Sequence, residues 1–345
     1  MKFELDTSPH LQPTASVHRV MLHVLLGLIP GAIAMIWFFG WGVWFNIVIA
    51  IVTATGAEAM MIRSRGGDAR ATLHDLSAVV TAVLLALALP PLAPWWLTVT
   101  GSLFAIIITK QLFGGLGFNP FNPAMAGYAA LLISFPREMT QWIPPSMIAE
   151  HPLGLWDTLV VTFAGSLPDQ LPWDAVTAAT PLDLMKTRLG LMDTIGEIRS
   201  NILFGDFGGR GWEWVGNWFF VGGLWLLYKR IITWHIPVAV LGSLFTISLL
   251  FYLTNPDAHP TPLFHIFSGG AVVCAFFIAT DPVSGCASAK GRLLFGACVG
   301  ILIFVIRTWG GYPDGVAFAV LLMNLAAPSI DYFTRPRVFG EDRGS

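Results

Sequence analysis

The sequence contains little charge. Of its 345 residues only 12% are Asp, Glu, Lys or Arg, whereas soluble domains carry about a quarter charged residues. Hydrophobic residues make up 55% of the chain, and the mean hydropathy is +0.68. The formal net charge of −2 provides no basic surface for nucleic acid, so we expect no nucleic-acid partner. This composition predicts an integral membrane protein.

Cysteine is also scarce. The three cysteines, Cys274, Cys286 and Cys298, lie twelve residues apart and form no CxxC pair. Zinc and iron–sulfur sites need more closely spaced ligands, so this chain is expected to bind no metal through cysteine. We expect the three thiols to act as small hydrophobic side chains.

Ten apolar segments are candidates for membrane spans. A helix crosses a bilayer with about 20 mostly apolar residues, because hydrocarbon offers no partner to unpaired backbone groups. The candidates lie at about 20–38, 42–62, two within 76–109, 123–135, 212–228, 236–253, 263–280, 292–309 and 315–331. We therefore expect an all-α polytopic membrane protein with ten transmembrane helices and one long loop, 136–210, between helices 5 and 6.

The distribution of Lys and Arg predicts the orientation of these spans. Basic residues accumulate in short cytoplasmic loops, and alternating ten spans places 13 of the 19 Lys and Arg on the side of the two termini. Five of the other six lie in or beside the long loop, and only Arg307 borders a short loop. The polar N-terminus lacks the pattern of a signal peptide. Both termini are therefore predicted to be cytoplasmic and 136–210 periplasmic, in a bacterial inner membrane.

Short sequence matches indicate that the two halves are related. His74 and Ser77 match His265 and Ser268 at an offset of 191 residues, and further short matches share this offset to within one residue. Because span 6 enters the membrane opposite to span 1, the pattern predicts a 5+5 inverted repeat with interrupted helices at spans 3 and 8. The expected regions are a tail and first repeat at 1–135, a periplasmic loop at 136–210, and a second repeat and tail at 211–345.

Two Gly/Pro-rich stretches, GLGFNPFNPAM and ATDPVSG, contain the first candidate site residues. Free carbonyls and helix ends there are suited to holding a ligand or lining an ion path, which makes Asn119, Asn122 and Asp281 ion-path candidates. The alternative is that the same three residues only cap helices. Other ionisable residues at predicted helix ends are interpreted as interfacial anchors: Glu58, His74, Asp75, Lys110, His265 and Asp331.

The stretch DAVTAATPLDLMK, residues 174–186, contains a second candidate site. Thr180 precedes Pro181, which is typical of a helix N-cap followed by proline at the first helical position. A helix over 181–199 is predicted from the spacing of Leu182, Met185, Leu189 and Met192. Alternatively, Thr177 and Thr180 lie beside small alanines, and a threonine oxygen esterified to phosphate forms a stable tether.

Several of these stretches together resemble a known family. DAVTAATPL, GGLGFNPFNPAMAGY, ATDPVSG and the early Ser8-Pro9-His10 are similar to motifs of the family that includes the D subunit of the Rnf electron-transport complex and the B subunit of the sodium-pumping NADH:quinone oxidoreductase. The similarity covers essentially the whole chain. Ala178 stands where glycine is common in the family motif.

The resemblance implies a flavoprotein function. Thr180 would be the acceptor of FMN, linked covalently through a phosphodiester by a flavin transferase, and Asp174 and Thr177 would belong to the recognised motif. The chain would be the membrane subunit of an ion-translocating ferredoxin:NAD oxidoreductase that moves Na+ or H+ with the Rnf subunits A, B, C, E and G. The chain lacks a GxGxxG fingerprint, so NAD and ferredoxin are expected on other subunits. A second, noncovalent flavin among the helices is left open.

Two other functions also fit this pattern. An inverted repeat in the membrane is found in solute channels and transporters with a urea-transporter-like fold, which need no flavin. A structural scaffold for redox subunits would need neither a flavin nor a substrate. The motif at Thr180 favours the electron-carrying subunit.

Overall fold

Helices form at each of the ten predicted spans in the structure, a computed structural model that describes residues 16–168 and 171–334. No strand occurs in these ranges, so the all-α prediction is confirmed. The first half contains α1 (Val17–Phe39), α2 (Gly42–Ser64), α3 (Ala69–Leu73), α4 (Ser77–Ala88), α5 (Trp95–Leu103, continued by a π-helix over Phe104–Gln111) and α6 (Pro123–Ser134).

The long connection after α6 is built from short helices. They are α7 (Pro136–Thr140), α8 (Leu155–Ala164), α9 (Trp173–Val176), α10 (Pro181–Gly190) and α11 (Ile195–Arg199). The second half then contains α12 (Trp212–Tyr228), α13 (His235–Thr254), α14 (Pro262–Phe267), α15 (Ala271–Val273, continued by a π-helix over Cys274–Ile278), α16 (Ala289–Trp309) and α17 (Val316–Thr334).

The helices differ in length more than the sequence suggested. Five of the described helices, α1, α2, α13, α16 and α17, are long and apolar enough to cross a membrane alone. In contrast, α4 and α6 have only 12 residues each. They are short because irregular backbone precedes both. Glycines with positive φ at 114, 115 and 117 lie in the segment before α6, as the Gly/Pro-rich sequence predicted.

Spans 3 and 8 are both interrupted near the start. Leu76 adopts a left-handed conformation, with φ of 62°, between α3 and α4. In span 8 the chain leaves the helical conformation at Ser268–Gly270, between α14 and α15, and Gly269 has φ of 65°. The matched residues Ser77 and Ser268 therefore both lie at the break of an interrupted helix.

The contacts between helices repeat in the two halves. In the first half α2 packs on α4 and α5, and α5 with its π-helix packs on α6. The second half has the same arrangement, since α13 packs on span 8 and on α16, and α16 packs on α17. Across the halves α1 packs on α12, and the backbones touch where Gly27 meets Gly222. The predicted 5+5 repeat is thus visible in the packing.

One predicted helix was wrong in extent. The spacing of apolar residues predicted a helix over 181–199, but α10 ends at Gly190 and α11 begins at Ile195. Met192 lies between them with φ of 68° and 91% of its surface exposed. Its position in the apolar pattern therefore does not reflect burial.

The two ends of the bundle can be named by the residues they hold. Thr180 lies at the end where α1 and α16 finish, because Ser146 of the connection donates to the Phe38 carbonyl and Lys186 donates to carbonyls after α16. We call this the Thr180 end and the opposite one the Asp281 end. Ser8-Pro9-His10 and the basic residues Lys2, Arg335, Arg337 and Arg343 lie outside the described residues.

Candidate functional site

Thr180 is the N-cap of α10. Its backbone is extended, with φ of −69° and ψ of 157°, and its Oγ1 accepts a hydrogen bond from the amide of Asp183 at 3.2 Å. Pro181 occupies the first helical position, where its missing N–H costs nothing. This cap agrees with the local sequence prediction, and it leaves the Thr180 oxygen at the positive end of a helix.

Lys186 fixes α10 to the end of α16. Its Nζ donates to the carbonyl of Tyr312 at 3.0 Å and to the carbonyls of Ile306 and Gly310. These carbonyls belong to or follow the last turn of α16, where a positive charge is favoured by the helix dipole. The segment that carries Thr180 is therefore held directly on the membrane bundle.

Thr180 lines a large cavity at its end of the bundle, the Thr180 cavity. The cavity comprises about 1290 Å³ of atom-free space, including space open to solvent. Its wall contains large aromatic and thioether side chains together with two carboxylates: Met35, Trp142, Trp212, Phe219, Asp183 and Asp314. The rings of Trp142 and Trp212 lie 5.0 Å apart between centroids. The wall is thus mostly apolar, with a few polar groups, as expected of a ligand pocket.

Two ionisable residues of α10 influence each other beside this cavity. Burial raises the pKa of Asp183 above its usual value, and the nearby ammonium of Lys186 opposes this rise. Burial lowers the pKa of Lys186, and Asp183 in turn opposes that fall. Partial burial is therefore the dominant cause for both groups, and it disfavours the charged form of each.

Asp174 and Thr177 are not in the wall of the Thr180 cavity. Asp174 is exposed on α9. The Thr177 hydroxyl donates to the carbonyl of Trp173 at 2.9 Å, and the next amide, that of Ala178, donates to the carbonyl of Trp142 at 2.8 Å. Thr177 therefore stabilises the segment before Thr180 through its hydrogen bond, and Asp174 lies on the surface of that segment. Neither residue encloses the cavity.

The three ion-path candidates converge in a second cavity, the Asp281 cavity, at the other end of the bundle. Asn119, Asn122 and Asp281 all line it. Asn122 also caps α6 by accepting the amide of Met125 at 3.2 Å, and Asp281 accepts the hydroxyl of Ser284 at 2.7 Å. Asn122 thus both caps a helix and lines the cavity, so the two interpretations of this residue do not exclude each other.

Glu58 and Lys110 form a buried ion pair beside the Asp281 cavity. Lys110 Nζ lies 2.7 Å from Glu58 Oε1, and neither side chain has more than 2% of its surface exposed. Lys110 also donates to Ser77 Oγ at 2.6 Å and lines the cavity. The interpretation of Glu58 and Lys110 as interfacial anchors was therefore wrong, because the pairing removes both charges from solvent. His265 is likewise buried within the protein.

Arg307 forms the corresponding ion pair at the Thr180 end. It pairs with Asp314 at 3.1 Å and donates to the carbonyls of His265 and Ser268, and Asp314 accepts the amide of Gly270 at 2.7 Å. Sequence reasoning did not identify this cluster. The sequence did contain one indication of it. Among the Lys and Arg residues away from the long loop, Arg307 is the one placed on the side opposite to the two termini.

The two cavities are related by the repeat. Ser77 and Val80, which follow the break of span 3, line the Asp281 cavity, and Gly270 and Val273, at and after the break of span 8, line the Thr180 cavity. Each break is held by a buried cation from the following span, Lys110 in one half and Arg307 in the other. Leu84 of α4 lines both cavities. The bundle therefore contains two cavities in equivalent positions that face opposite ends.

Comparison with known proteins gives matches over nearly the full chain. The profile of the NQR2, RnfD, RnfE family matches residues 4–340. The chain is similar to the D subunit of the ion-translocating oxidoreductase complex of Aeromonas hydrophila subsp. hydrophila, with 49% identity over 348 residues and 99% of each chain covered. The same subunit from Shewanella pealeana is 49% identical over 350 residues, and the one from Escherichia coli O127:H6 is 47% identical over 352 residues, each with full coverage of both chains.

Proposed function

Because this chain belongs to the NQR2, RnfD, RnfE family, we propose that it is the D-type membrane subunit of an ion-translocating oxidoreductase complex and carries FMN esterified to Thr180. The observation that carries this proposal is the position of Thr180, which combines a family-type motif, a helix N-cap and the wall of an aromatic cavity. The chain itself is a multi-pass membrane protein.

The N-terminus of α10 fits the phosphate of such a linkage. A phosphodiester on Thr180 Oγ1 would carry its negative charge beside the first-turn amides of α10, where helix dipole and free N–H groups favour an anion. Asp183 would oppose this charge when ionised, but burial raises its pKa and so favours its neutral form. The docking of Lys186 on α16 would keep the attachment point in place.

The Thr180 cavity fits the ring system. Trp142, Trp212 and Phe219 offer flat aromatic surfaces, and aromatic rings stack favourably. FMN bound there would supply one- and two-electron transfer. The residues of this chain would hold the ring, limit its contact with water and set the charge around it through Asp183 and Asp314.

Maturation and assembly require partners. A flavin transferase would read Asp174 and Thr177, and the exposure of Asp174 on α9 makes it accessible to such an enzyme. The other Rnf-type subunits, A, B, C, E and G, would hold the binding sites for NAD and ferredoxin. We further propose that the complex lies in a bacterial inner membrane and moves Na+ or H+, with both termini cytoplasmic and 136–210 periplasmic.

The Asp281 cavity is our proposed site for a second, noncovalent flavin. Its support is the repeat, because equivalent parts of spans 3 and 8 line the two cavities. Asn119, Asn122 and Asp281 supply hydrogen-bonding groups in its wall. The same three residues remain our candidates for the ion path, since the half-buried carboxylate of Asp281 after span 8 and the buried amides of Asn119 and Asn122 before α6 are suited to a cation.

The experiment compares three proteins expressed together with the flavin transferase. In-gel fluorescence after denaturation is expected for the unmodified chain and absent for Thr180→Val, because valine has no oxygen to esterify. Thr177→Val is the matched control, and it keeps the Thr180 acceptor but removes a motif hydroxyl that bonds to Trp173. Its fluorescence should be reduced, not abolished. Equal fluorescence in all three proteins would contradict the proposal.

A urea-transporter-like solute channel is the second candidate, since it too would use an inverted repeat with opposed cavities. The purified subunit in liposomes would then conduct solute without any flavin. Flux that is retained in Thr180→Val and in the absence of redox partners would favour the channel.

A further inference from the structure

Helix α8 carries an exposed apolar stripe in the middle of the connection between the repeats. Trp156, Val160 and Phe163 lie at spacings of four and three residues, so they share one face of the helix. Their exposed fractions are 74%, 43% and 52%. The sole charged residue of α8, Asp157, lies in its first turn and accepts the amide of Gly154 at 3.2 Å.

The opposite face of α8 is buried and partly polar. Thr158, Val161 and Thr162 are buried there. Each threonine hydroxyl is satisfied within the helix, since Thr158 donates to the carbonyl of Gly154 at 2.7 Å and Thr162 to that of Thr158 at 2.8 Å. This pattern is the reverse of a surface helix in water, which turns its apolar residues inward.

The position of α8 places the stripe beside the membrane spans. The methyl group of Thr158 approaches the start of α2 at Gly42, and Val161 packs with Leu92 from the turn between α4 and α5. Trp41 and Trp44, at that same start of α2, are exposed. Exposed tryptophans at the end of a membrane helix are typical of the interface between headgroups and acyl chains.

We propose that α8 lies in the membrane interface at the Thr180 end, with Trp156, Val160 and Phe163 directed toward the acyl chains. The uncharged stripe fits a lipid surface, as does the packing of α8 on the start of α2, where Trp41 and Trp44 are exposed. The segment 136–210 is then not wholly external. Its polar composition had predicted that the whole segment lies outside the membrane.

This contact also positions the flavinylation motif. Val161 packs in one buried cluster with Val176 of α9, four residues before Thr180. If the exposed stripe fixes α8 at the interface, the buried face of α8 would therefore hold the motif segment at the membrane surface. The inference rests on the packing of α8 and does not depend on whether FMN is attached.

Spin-label accessibility in the assembled complex, reconstituted in lipid nanodiscs, tests the proposal. Labels are placed by Val160→Cys and, as a second position on the same stripe, Phe163→Cys. Met192→Cys is the control, because Met192 is the more exposed residue but lies at the tip after α10. Labelling of the unmodified chain gives the blank, since Cys274 and Cys286 are buried and Cys298 is half-buried.

Collisions with oxygen, which partitions into lipid, should dominate for the labels at 160 and 163. Collisions with nickel ethylenediamine diacetate, which stays in water, should dominate at 192. Dominant nickel collisions at 160 and 163 would overturn the proposal. Protection from both reagents at these positions would overturn it as well, because it would mean that protein and not lipid covers the stripe.

Discussion

Lys110 Nζ lies 2.7 Å from Glu58 Oε1, and both side chains are buried among the membrane helices. Gln111 also donates to Glu58 Oε1 at 2.8 Å, whereas Glu58 Oε2 has no hydrogen-bond partner among the described residues. The carboxylate therefore depends on Lys110 for compensation of its charge, and Lys110 also holds the break of span 3 through Ser77.

Replacing Lys110 should destabilise the bundle strongly. Lys110→Met leaves Glu58 as an unpaired buried charge, and breaking such a pair costs about 3–5 kcal/mol. The free energy of unfolding, measured by denaturant titration in detergent, should fall by that amount. The double variant with Glu58→Gln should recover part of the loss. Lys229→Met is the control, because Lys229 is an exposed cation over the Trp225 ring and should change stability little.

Replacing Lys186 should loosen α10. Lys186→Met removes the donor to the carbonyls at the end of α16, at a cost of about 1.5–3 kcal/mol for hydrogen bonds to a charged group, reduced by its partial exposure. Amide hydrogen exchange over 181–190 should become faster. Arg188→Met on the same helix breaks a partly exposed pair with Asp193 and should leave this exchange unchanged. Equal protection in both variants would show that Lys186 does not hold α10.

Asp183 should give the proposed flavin on Thr180 a pH-dependent potential. Because burial raises its pKa, Asp183 is neutral below that pKa and becomes a carboxylate as the pH rises through it. A nearby negative charge opposes reduction of the flavin. As the pH rises through the pKa of Asp183, the reduction potential should therefore fall more steeply than it would from proton uptake by the flavin alone. Asp183→Asn should remove this step and raise the potential above that pKa, by about 30 mV for each tenfold change in a two-electron equilibrium.

Spectroelectrochemical titration over a pH series measures this effect. Asp174→Asn is the matched control, because Asp174 is exposed and does not line the cavity. Identical curves for the unmodified chain and Asp183→Asn would contradict the assigned role of Asp183.

Leu84 should separate the two cavities, since it lines both. Leu84→Ala removes most of this side chain and should permit leakage of Na+ or H+ through proteoliposomes without any electron donor. Leu85→Ala is the control, because Leu85 is fully buried in the same helix and lines neither cavity. Both substitutions should cost about 2–5 kcal/mol of stability. Similar leakage in both variants would indicate general loosening of the bundle instead.

Local sequence features predicted the fold well where the causes are local. The apolar runs located the ten spans, and the order Thr180-Pro181 predicted the N-cap. The matched His74/Ser77 and His265/Ser268 pairs indicated the repeat. The two serines lie at equivalent helix breaks, one in span 3 and one in span 8.

Features that depend on distant contacts could not be predicted in this way. Glu58 and Lys110 are 52 residues apart, and each looks like an interfacial charge until the helices are packed. Met192 continues the apolar period of α10, but the helix ends before it. Apolar periodicity also identifies one face of α8 without saying whether protein or lipid covers it.

The most direct test of the central claim is mass spectrometry of the tryptic peptide 138–186, prepared from cells with and without the flavin transferase. The peptide contains both Thr177 and Thr180, and fragmentation distinguishes them. We predict an added mass of FMN less one water, located on Thr180 and present only with the transferase. An unmodified peptide in cells that contain the active transferase, or a flavin located on another residue, would contradict the account.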